Sequence, residues 1–346
     1  MGRILITGGA GYIGSHICFL LLSRGYKVIV FDSFVNSSYK LLDNIKKQIL
    51  ITKPYFSGNL EVVDGDIRNK YILQKLFERS IKTDEDRIIG VIHCAGLKSI
   101  SDSIKRPFEY WDNNVLGSIN LFNIMQSFKC KKIVFSSSAS IYECSNLKLH
   151  ENSKINPKNT YGNTKYVIEK LLRNIFESEK NEWSIANLRY FNPIGAHPEG
   201  IIGEDSNGHP NNIFPLLNKV AAGKISKIEV FGKDWPTPDG TCLRDYIHIM
   251  DLAEGHCLVF DYIFRQNIFL NLNLGTGEGT SVLNLIEVFQ KVNKVKIPFT
   301  FTSRRIGDNG IVIADNRYAK DILNWVPKRS IEDMCRDGWK WERNNL

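Results

Sequence analysis

The chain has 346 residues, 43% of them hydrophobic, and a formal charge of +8, which is long enough for one large or two coupled domains around a sizeable core. No apolar stretch reaches the roughly 18 to 20 residues of a membrane span, and no basic segment followed by an apolar leader opens the sequence, so a soluble cytoplasmic protein without a membrane partner is expected. The lysines are dispersed, with no cluster larger than the short run Lys129 to Lys132, as on a solvated face rather than a nucleic-acid-binding one; the seven scattered cysteines (Cys18, Cys94, Cys130, Cys144, Cys242, Cys257, Cys335) contain no Cys-x-x-Cys pair and are expected to be reduced thiols, with neither a disulfide framework nor a metal site.

The first apolar run, Ile4-Leu5-Ile6, leads straight into Gly8-Gly9-Ala10-Gly11-Tyr12-Ile13-Gly14. A strand, a glycine turn and a helix start in that order bring backbone N–H groups close to a pyrophosphate. The helix predicted from Gly11 to Gly25 carries Ile13, Ile17, Leu20 and Leu21 at helical spacing, a single buried stripe. A second apolar run, Val28 to Phe31, ends at Asp32, where a carboxylate can accept hydrogen bonds from an adenosine ribose. Gly8, Gly11, Tyr12, Ile13, Gly14 and Asp32 therefore mark a dinucleotide site.

Further along, Tyr39–Leu50 reads as an extra helix and Thr52–Asn59 as a loop. Strand-like runs recur at Leu60–Val63, Ile88–His93, Lys132–Ser136 and Ile185–Tyr190. Helix-like segments at Tyr71–Arg79, Phe108–Phe128 and Tyr161–Phe176 separate them. Strands alternating with helices predict a parallel sheet covered on both faces. After about Tyr190 come loops rich in proline, glycine and asparagine, clearest at Asn192-Pro193, Asn207-Gly208-His209-Pro210 and Trp235–Gly240. Residues 1–190 are thus expected to bind the cofactor and residues 191–346 to supply the substrate side, with some segments returning to the first domain.

Tyr161 and Lys165 lie one turn apart at the start of a predicted helix, behind Ser136-Ser137-Ser138 at a strand end. A phenol with a pKa near 10 needs roughly 4 kcal/mol of preferential stabilisation to serve as a base near pH 7. One positive charge at about 6 Å with an effective dielectric of about 20 supplies on the order of 3 kcal/mol. Lys165 alone falls short, whereas Lys165 with the positive ring of an oxidised nicotinamide suffices.

The blocks Thr7–His16, Gly65–Asn69, His93–Ser99, Phe135–Tyr142, Thr160–Lys165, Leu188–Gly200, Pro210–Asn212, Asp239–Ala253, Asn273–Gly277 and Arg304–Asp308 resemble, in order, the UDP-glucose 4-epimerase family of extended short-chain dehydrogenases. The resemblance implies an α/β fold, a Rossmann-type doubly wound parallel sheet with a smaller C-terminal α/β substrate domain, and NAD as cofactor. It implies Tyr161 as base, Ser138 as the hydroxyl bridging sugar and phenolate, and Lys165 as the charge beside them and a ligand of the nicotinamide ribose. Asn36 and Ser37 would join Asp32 at the adenosine ribose, Asp66 and Ile67 would meet the adenine, and Lys98 and Asn113 the rest of the dinucleotide. Tyr190, Phe191, Asn192, Asn212, Arg244, Arg305, Asp308 and Val312 would face the UDP-sugar, and a homodimer would form through helices near Phe108–Phe128 and Tyr161–Phe176.

The implied reaction interconverts UDP-galactose and UDP-glucose through a 4-keto sugar. His93, His197 and His248 fall within matching blocks but have no task in it and read as structural. Three positions depart from the family: Cys94 where an aromatic is frequent, Glu143 where glycine is usual, and Val312, where a tyrosine resembles enzymes limited to glucose and galactose while a smaller residue resembles those that also accept N-acetyl sugars. A nucleotide-sugar 4,6-dehydratase would carry a carboxyl group beside the serine, and Ser138-Ala139-Ser140 has none. An NAD-sensing module without catalysis would lack Tyr161, Lys165 or Ser138.

Overall fold

The structure, a computed structural model, describes residues 2–143, 145, 147–179, 182–205, 212–305 and 308–346; Cys144, the Asn207–Pro210 loop and the first two residues of the Pro210–Asn212 block lie outside the described residues. The first half runs β1 (Arg3–Thr7), α1 (Tyr12–Ser23), β2 (Lys27–Asp32), α2 (Tyr39–Thr52), β3 (Leu60–Asp64), α3 (Lys70–Ser80), β4 (Ile88–His93), α4 (Ile100–Lys105), α5 (Pro107–Tyr110), α6 (Gly117–Ser127), β5 (Lys132–Ser136), α7 (Thr160–Ser178) and β6 (Ser184–Tyr190). The second half adds β7 (Asn192–Ile194), α8 (Ile213–Ala221), β8 (Ile228–Phe231), β9 (Leu243–Arg244), β10 (Tyr246–His248), α9 (Ile249–Phe264), β11 (Phe269–Leu274), β12 (Thr280–Ser281), α10 (Val282–Asn293), β13 (Phe299–Thr302), β14 (Ile311–Val312), α11 (Arg317–Leu323) and α12 (Ile331–Arg343).

Seven parallel strands form the main sheet in the order β11-β6-β5-β4-β1-β2-β3. Both faces are buried, so the strands read as continuous apolar runs such as Ile4-Leu5-Ile6 and Val28-Ile29-Val30. The order reverses between β1 and β4. In a doubly wound sheet that reversal leaves a crevice beyond the carboxyl ends of the two strands. The last strand, β11, comes from the second half and pairs with β6 from Phe269↔Ile185 to Leu274↔Tyr190.

Helix α1 is buried more broadly than a single stripe predicts. Ile17 and Leu21 are inaccessible and Ile13 and Leu20 half-buried, but Ser15, His16, Cys18 and Leu22 are buried too, because α9 covers the side of α1 that turns away from the sheet. The Thr52–Asn59 stretch contains a 3₁₀ turn from Pro54 to Asn59 rather than plain loop. Between α5 and α6 the segment Trp111–Leu116 is π-helical, where one continuous α-helix was expected. Asn114 explains this widened stretch: its side chain bonds the Leu97 N–H at 2.8 Å, the Leu97 carbonyl at 3.1 Å and Thr164 at 3.1 Å. Such bulges favour functional positions, and this one puts neighbouring Asn113 on the wall of the crevice.

The second half makes three small sheets: β7 with β10, β9 between β12 and β14, and β8 with β13. Ile194 of β7, Ile228 and Val230 of β8 and Tyr246 of β10 pack with α8, α10 and α12 into a separate core around Phe214, Leu217, Ile286 and Phe289. No helix among the described residues is long and apolar enough to cross a membrane.

Candidate active site

The crevice at the reversal point opens into a cleft lined by residues of both halves of the chain, where ligands of doubly wound sheets bind. Its floor is the glycine turn. Gly8 has φ +68°, and a Cβ there would lie 2.6 Å from the Ala95 nitrogen; a Cβ on Gly14 would lie 2.3 Å from the Gly8 carbonyl oxygen. Those two glycines are demanded by the turn and by the approach of helix to strand. Gly11 differs, because a Cβ there would meet only the Gly8 oxygen at 3.4 Å while the residue lines the cleft. The turn therefore leaves room for a ligand above Gly11, at the start of α1, which no side chain caps. Unsatisfied N–H groups facing free space suit a pyrophosphate.

Asp32 is 7% exposed and lines the same cleft. Its Oδ2 accepts the Ala10 N–H at 2.9 Å, and its Oδ1 accepts the Phe34 N–H and the Ser37 hydroxyl, each at 2.9 Å. Ser37, expected at the ribose itself, is buried behind Asp32 and holds it. Tyr12, Ile13, Asn36, Asp66, Ile67, Lys98, Asn113, Tyr161, Lys165 and Tyr190 line the cleft with the glycines. Sequence reasoning missed Glu204 and Asp205, which come from the second half and also line it. Glu204 accepts from Lys98 Nζ at 2.8 Å and Asp205 from the Ser38 hydroxyl at 3.1 Å, so two loops of the first half are tied to the cleft mouth. No local motif signals this long-range meeting.

At the inner end stands the serine, tyrosine and lysine group. Asn159 caps α7 through the Gly162 N–H at 2.8 Å. A Cβ on Gly162 would come within 2.6 Å of the Ser140 carbonyl, so the glycine lets α7 sit directly on the Ser138–Ser140 turn. Ser138 lies near enough to the Tyr161 phenol to draw its pKa down, while its hydroxyl contacts that of Ser140 at 2.8 Å and accepts the Ser140 N–H. Lys165 Nζ donates to the Ser136 carbonyl at 2.9 Å and lies 4.9 Å from the Phe135 ring centre and 5.8 Å from that of Tyr161. Burial pushes Tyr161 up to about 12, against the pull of Ser138, and Lys165 down to about 8, against Cys94 and Glu169. Protein groups alone thus hold the phenol protonated.

Cys94, on the cleft wall, is pushed up to about 11 by burial and contacts the Ser136 hydroxyl at 3.2 Å. Ser136 also meets His256 Nε2 at 3.2 Å, and burial raises the pKa of the Tyr190 phenol against the pull of Ser136. His93 uses both ring nitrogens inside the fold, on Thr7 at 2.7 Å and Ser118 at 2.9 Å. His248 meets Asp337 at 3.2 Å and accepts the Met250 N–H, and His197 accepts the Glu199 N–H. Glu143 turns outward to Asn156 and Lys154.

On the substrate side, β9 and β14 pair Arg244 with Val312, the Asp245 N–H donates to the Val312 carbonyl at 3.0 Å, and the Asn192 N–H donates to the Asp245 carbonyl at 3.0 Å. Arg244 also holds Asp308 at 2.6 Å. Phe191 and Val312 pack with Ala139, beside Ser138, which joins this group to the serine turn. Arg305 lies 3.8 Å over the Phe231 ring, and its carbonyl accepts the Asp308 N–H. Arg304 instead pairs with exposed Asp234 at 2.8 Å. Asn212 stands at the start of α8.

The family model described as NAD dependent epimerase/dehydratase family matches residues 4–275. A UDP-glucose 4-epimerase of Bacillus subtilis (strain 168) is 43% identical over 344 residues, covering 99% of this chain and 97% of its own length. The UDP-glucose-4-epimerase of Stenotrophomonas maltophila, solved with bound NAD and formylated UDP-arabinopyranose, superposes with a TM-score of 0.92 at 39% identity, over 99% of this chain and 98% of that one. The Bifidobacterium longum enzyme in complex with NAD+ and UDP also superposes with a TM-score of 0.92, at 38% identity and the same coverage.

Proposed function

The chain belongs to the NAD dependent epimerase/dehydratase family, and from that premise we infer how its cleft works. It is an NAD-dependent UDP-glucose 4-epimerase, interconverting UDP-galactose and UDP-glucose. The observation that carries the residue assignment is the meeting of Ser138, Tyr161 and Lys165 at the inner end of a cleft floored by the glycine turn.

Bound NAD supplies a reversible hydride acceptor for C4 of the sugar. Tyr161 takes the proton of the 4-hydroxyl as the hydride leaves, and Ser138 holds sugar oxygen and phenol in line. The 4-keto sugar turns over, regains hydrogen at C4 on its other face, and receives from Tyr161 the proton it gave up. Cofactor is regenerated in each cycle and need not leave. Asp32 holds the adenosine ribose, where its carboxylate repels a 2′-phosphate. Asn192, Asn212, Arg244, Arg305 and Asp308 bind the uridine diphosphate, the arginines offering forked donors to its phosphates. Ser138-Ala139-Ser140 offers no acid for eliminating the 6-hydroxyl, which disfavours the dehydratase reading.

Val312 lacks a ring, so the sugar pocket also takes the N-acetylated pair. The enzyme works in the cytoplasm as a homodimer, a reading supported by Phe108 at 89% and Ile104 at 56% exposure on α5 and α4, and sedimentation of Phe108→Glu as a monomer tests it. Residues 1–190 serve the cofactor and 191–346 the UDP-sugar, with α9 and β11 built into the first part. The assignment of the base is tested by Tyr161→Phe, which lowers kcat by about 10² to 10⁴ with NAD content unchanged; near-normal turnover refutes it.

A further inference from the structure

Three successive serines at the end of β5 meet three positions of α7, each one turn beyond the last. Ser138 faces Tyr161, the Ser136 carbonyl takes Lys165, and the Ser137 hydroxyl donates to Glu169. Residues 161, 165 and 169 share one helical face. The chemistry uses the first two and gives Glu169 no task, and Glu169 is absent from the cleft wall. Yet its carboxylate is 5% exposed and held by Arg189 of β6, through Nε to Oε1 at 3.0 Å and Nη2 to Oε2 at 2.6 Å, with Arg189 itself 2% exposed.

The pair is anchored further. Arg189 Nη1 donates to the Tyr142 hydroxyl at 3.0 Å and the Glu151 carbonyl at 2.8 Å; Tyr142 donates to Asn273 Oδ1 at 2.7 Å, and Asn273 Nδ2 to the Leu149 carbonyl at 2.8 Å. The network therefore ties α7 to β5, β6, β11 and residues 149–151.

A buried ion pair is a poor way to gain stability, since apolar side chains of similar volume hold a helix on a sheet as well or better. Its distinction is geometric. Apolar faces tolerate small slides, whereas a two-point guanidinium–carboxylate contact with a third bond from Ser137 has one register. A slide of α7 along β5 would carry Tyr161 away from Ser138. We propose that Glu169 is a positioning residue for the reaction: through Ser137 and Arg189 it fixes the register of α7 on the end of β5 and so keeps Tyr161 and Lys165 aligned with Ser138 and Ser136. The proposal rests on the reading of Tyr161 as the base.

The test uses two variants of the full-length, NAD-loaded enzyme: Glu169→Leu combined with Arg189→Met, which removes both charges together, and Ser137→Ala, which leaves the ion pair intact. For each, kcat and KM for UDP-galactose, NAD content and Tm are measured. The double variant is expected to keep NAD and KM and to fold with a somewhat lower Tm, since the Ser137 hydroxyl and the Glu151 carbonyl lose their partners, while kcat falls about 100-fold, the scale of an ångström of misplacement at a reacting centre. Ser137→Ala is expected to lose about tenfold in kcat with KM and Tm unchanged. A structural role alone would move Tm and leave kcat. A folded double variant with kcat within about twofold of wild type overturns the proposal, and if that variant does not fold, wild-type kcat in Ser137→Ala overturns it alone. An active Tyr161→Phe protein would instead refute the reading of the base, so the two failures are distinguishable.

Discussion

Replacing Lys165 by methionine removes one charge while keeping an unbranched side chain of similar length. Lys165 Nζ lies 5.8 Å from the centre of the Tyr161 ring, so a unit charge there at an effective dielectric of about 20 is worth about 3 kcal/mol to the phenolate, or about 2 pKa units. Burial holds Tyr161 at about 12 and Lys165 at about 8, which means the lysine on its own would lose its charge before the tyrosine lost its proton. A second positive charge beside the phenol is required, and oxidised nicotinamide carries one. Removing Lys165 leaves that charge and takes away the lysine's share, so the Tyr161 pKa rises and less phenolate is present at any pH below it. The acid limb of the kcat profile for UDP-galactose should move about 2 units to higher pH. On that limb the variant should be about 100-fold slower and recover about tenfold per pH unit. NAD content must be measured in parallel, because Lys165 also lines the cofactor cleft. A profile that keeps its wild-type midpoint while kcat drops uniformly, with NAD still bound, would refute the electrostatic role and leave Lys165 as a cofactor ligand only.

Ser138→Ala removes the hydroxyl that draws down the phenol's pKa and should lower kcat by roughly 10²-fold, less than Tyr161→Phe, with NAD content and Tm unchanged; steady-state assays of the two variants side by side check the order. Val312 packs against Phe191 and Ala139 and pairs with Arg244, so Val312→Tyr should suppress UDP-N-acetylglucosamine turnover by roughly 5- to 150-fold, the equivalent of about 1 to 3 kcal/mol of overpacking, while UDP-galactose turnover stays near wild type. Loss of both activities together would contradict the gatekeeper reading. Burial lowers His16 and His93 to about 3 and His256 to about 4. Their pKa values near 6.5 in the unfolded chain mean that it binds more protons than the fold below that pH, so stability is full above about pH 6.5 and falls towards pH 4, by up to about 1.4 kcal/mol per unit for each histidine. A Tm that stays level from pH 7 to pH 5 would contradict this.

The parts of the site that could be read from the sequence are those built by neighbouring residues. Gly8, Gly11 and Gly14 lie within one turn, and Tyr161 with Lys165 one helical turn apart, so local spacing carries their geometry. Ser37 shows the limit of that reading: the resemblance implies a place at the ribose, but only the fold shows its hydroxyl donating to Asp32. Glu204 reaches Lys98 across 106 residues, and β11 returns to the edge of a sheet whose other strands end at Tyr190. Neither leaves a periodic trace. The wide turns at Trp111–Leu116 were hidden because an apolar pattern of helical period does not separate i to i+4 from i to i+5 bonding, and Asn114, which forces the difference, acts through Leu97 and Thr164 in other elements. Glu169 was invisible as a site residue for a similar reason, since its partners Ser137 and Arg189 meet it only in the folded chain.

The central claim, turnover of UDP-galactose by Tyr161 on a cofactor that stays bound, is tested most directly by incubating the purified protein with UDP-galactose and no added nucleotide, and following both the sugar and the cofactor. The account predicts many turnovers to an equilibrium mixture with UDP-glucose, with NAD, not NADP, recovered from the protein at the end in its starting amount. An absolute need for added NAD, or its reduction in step with each sugar converted, would contradict it.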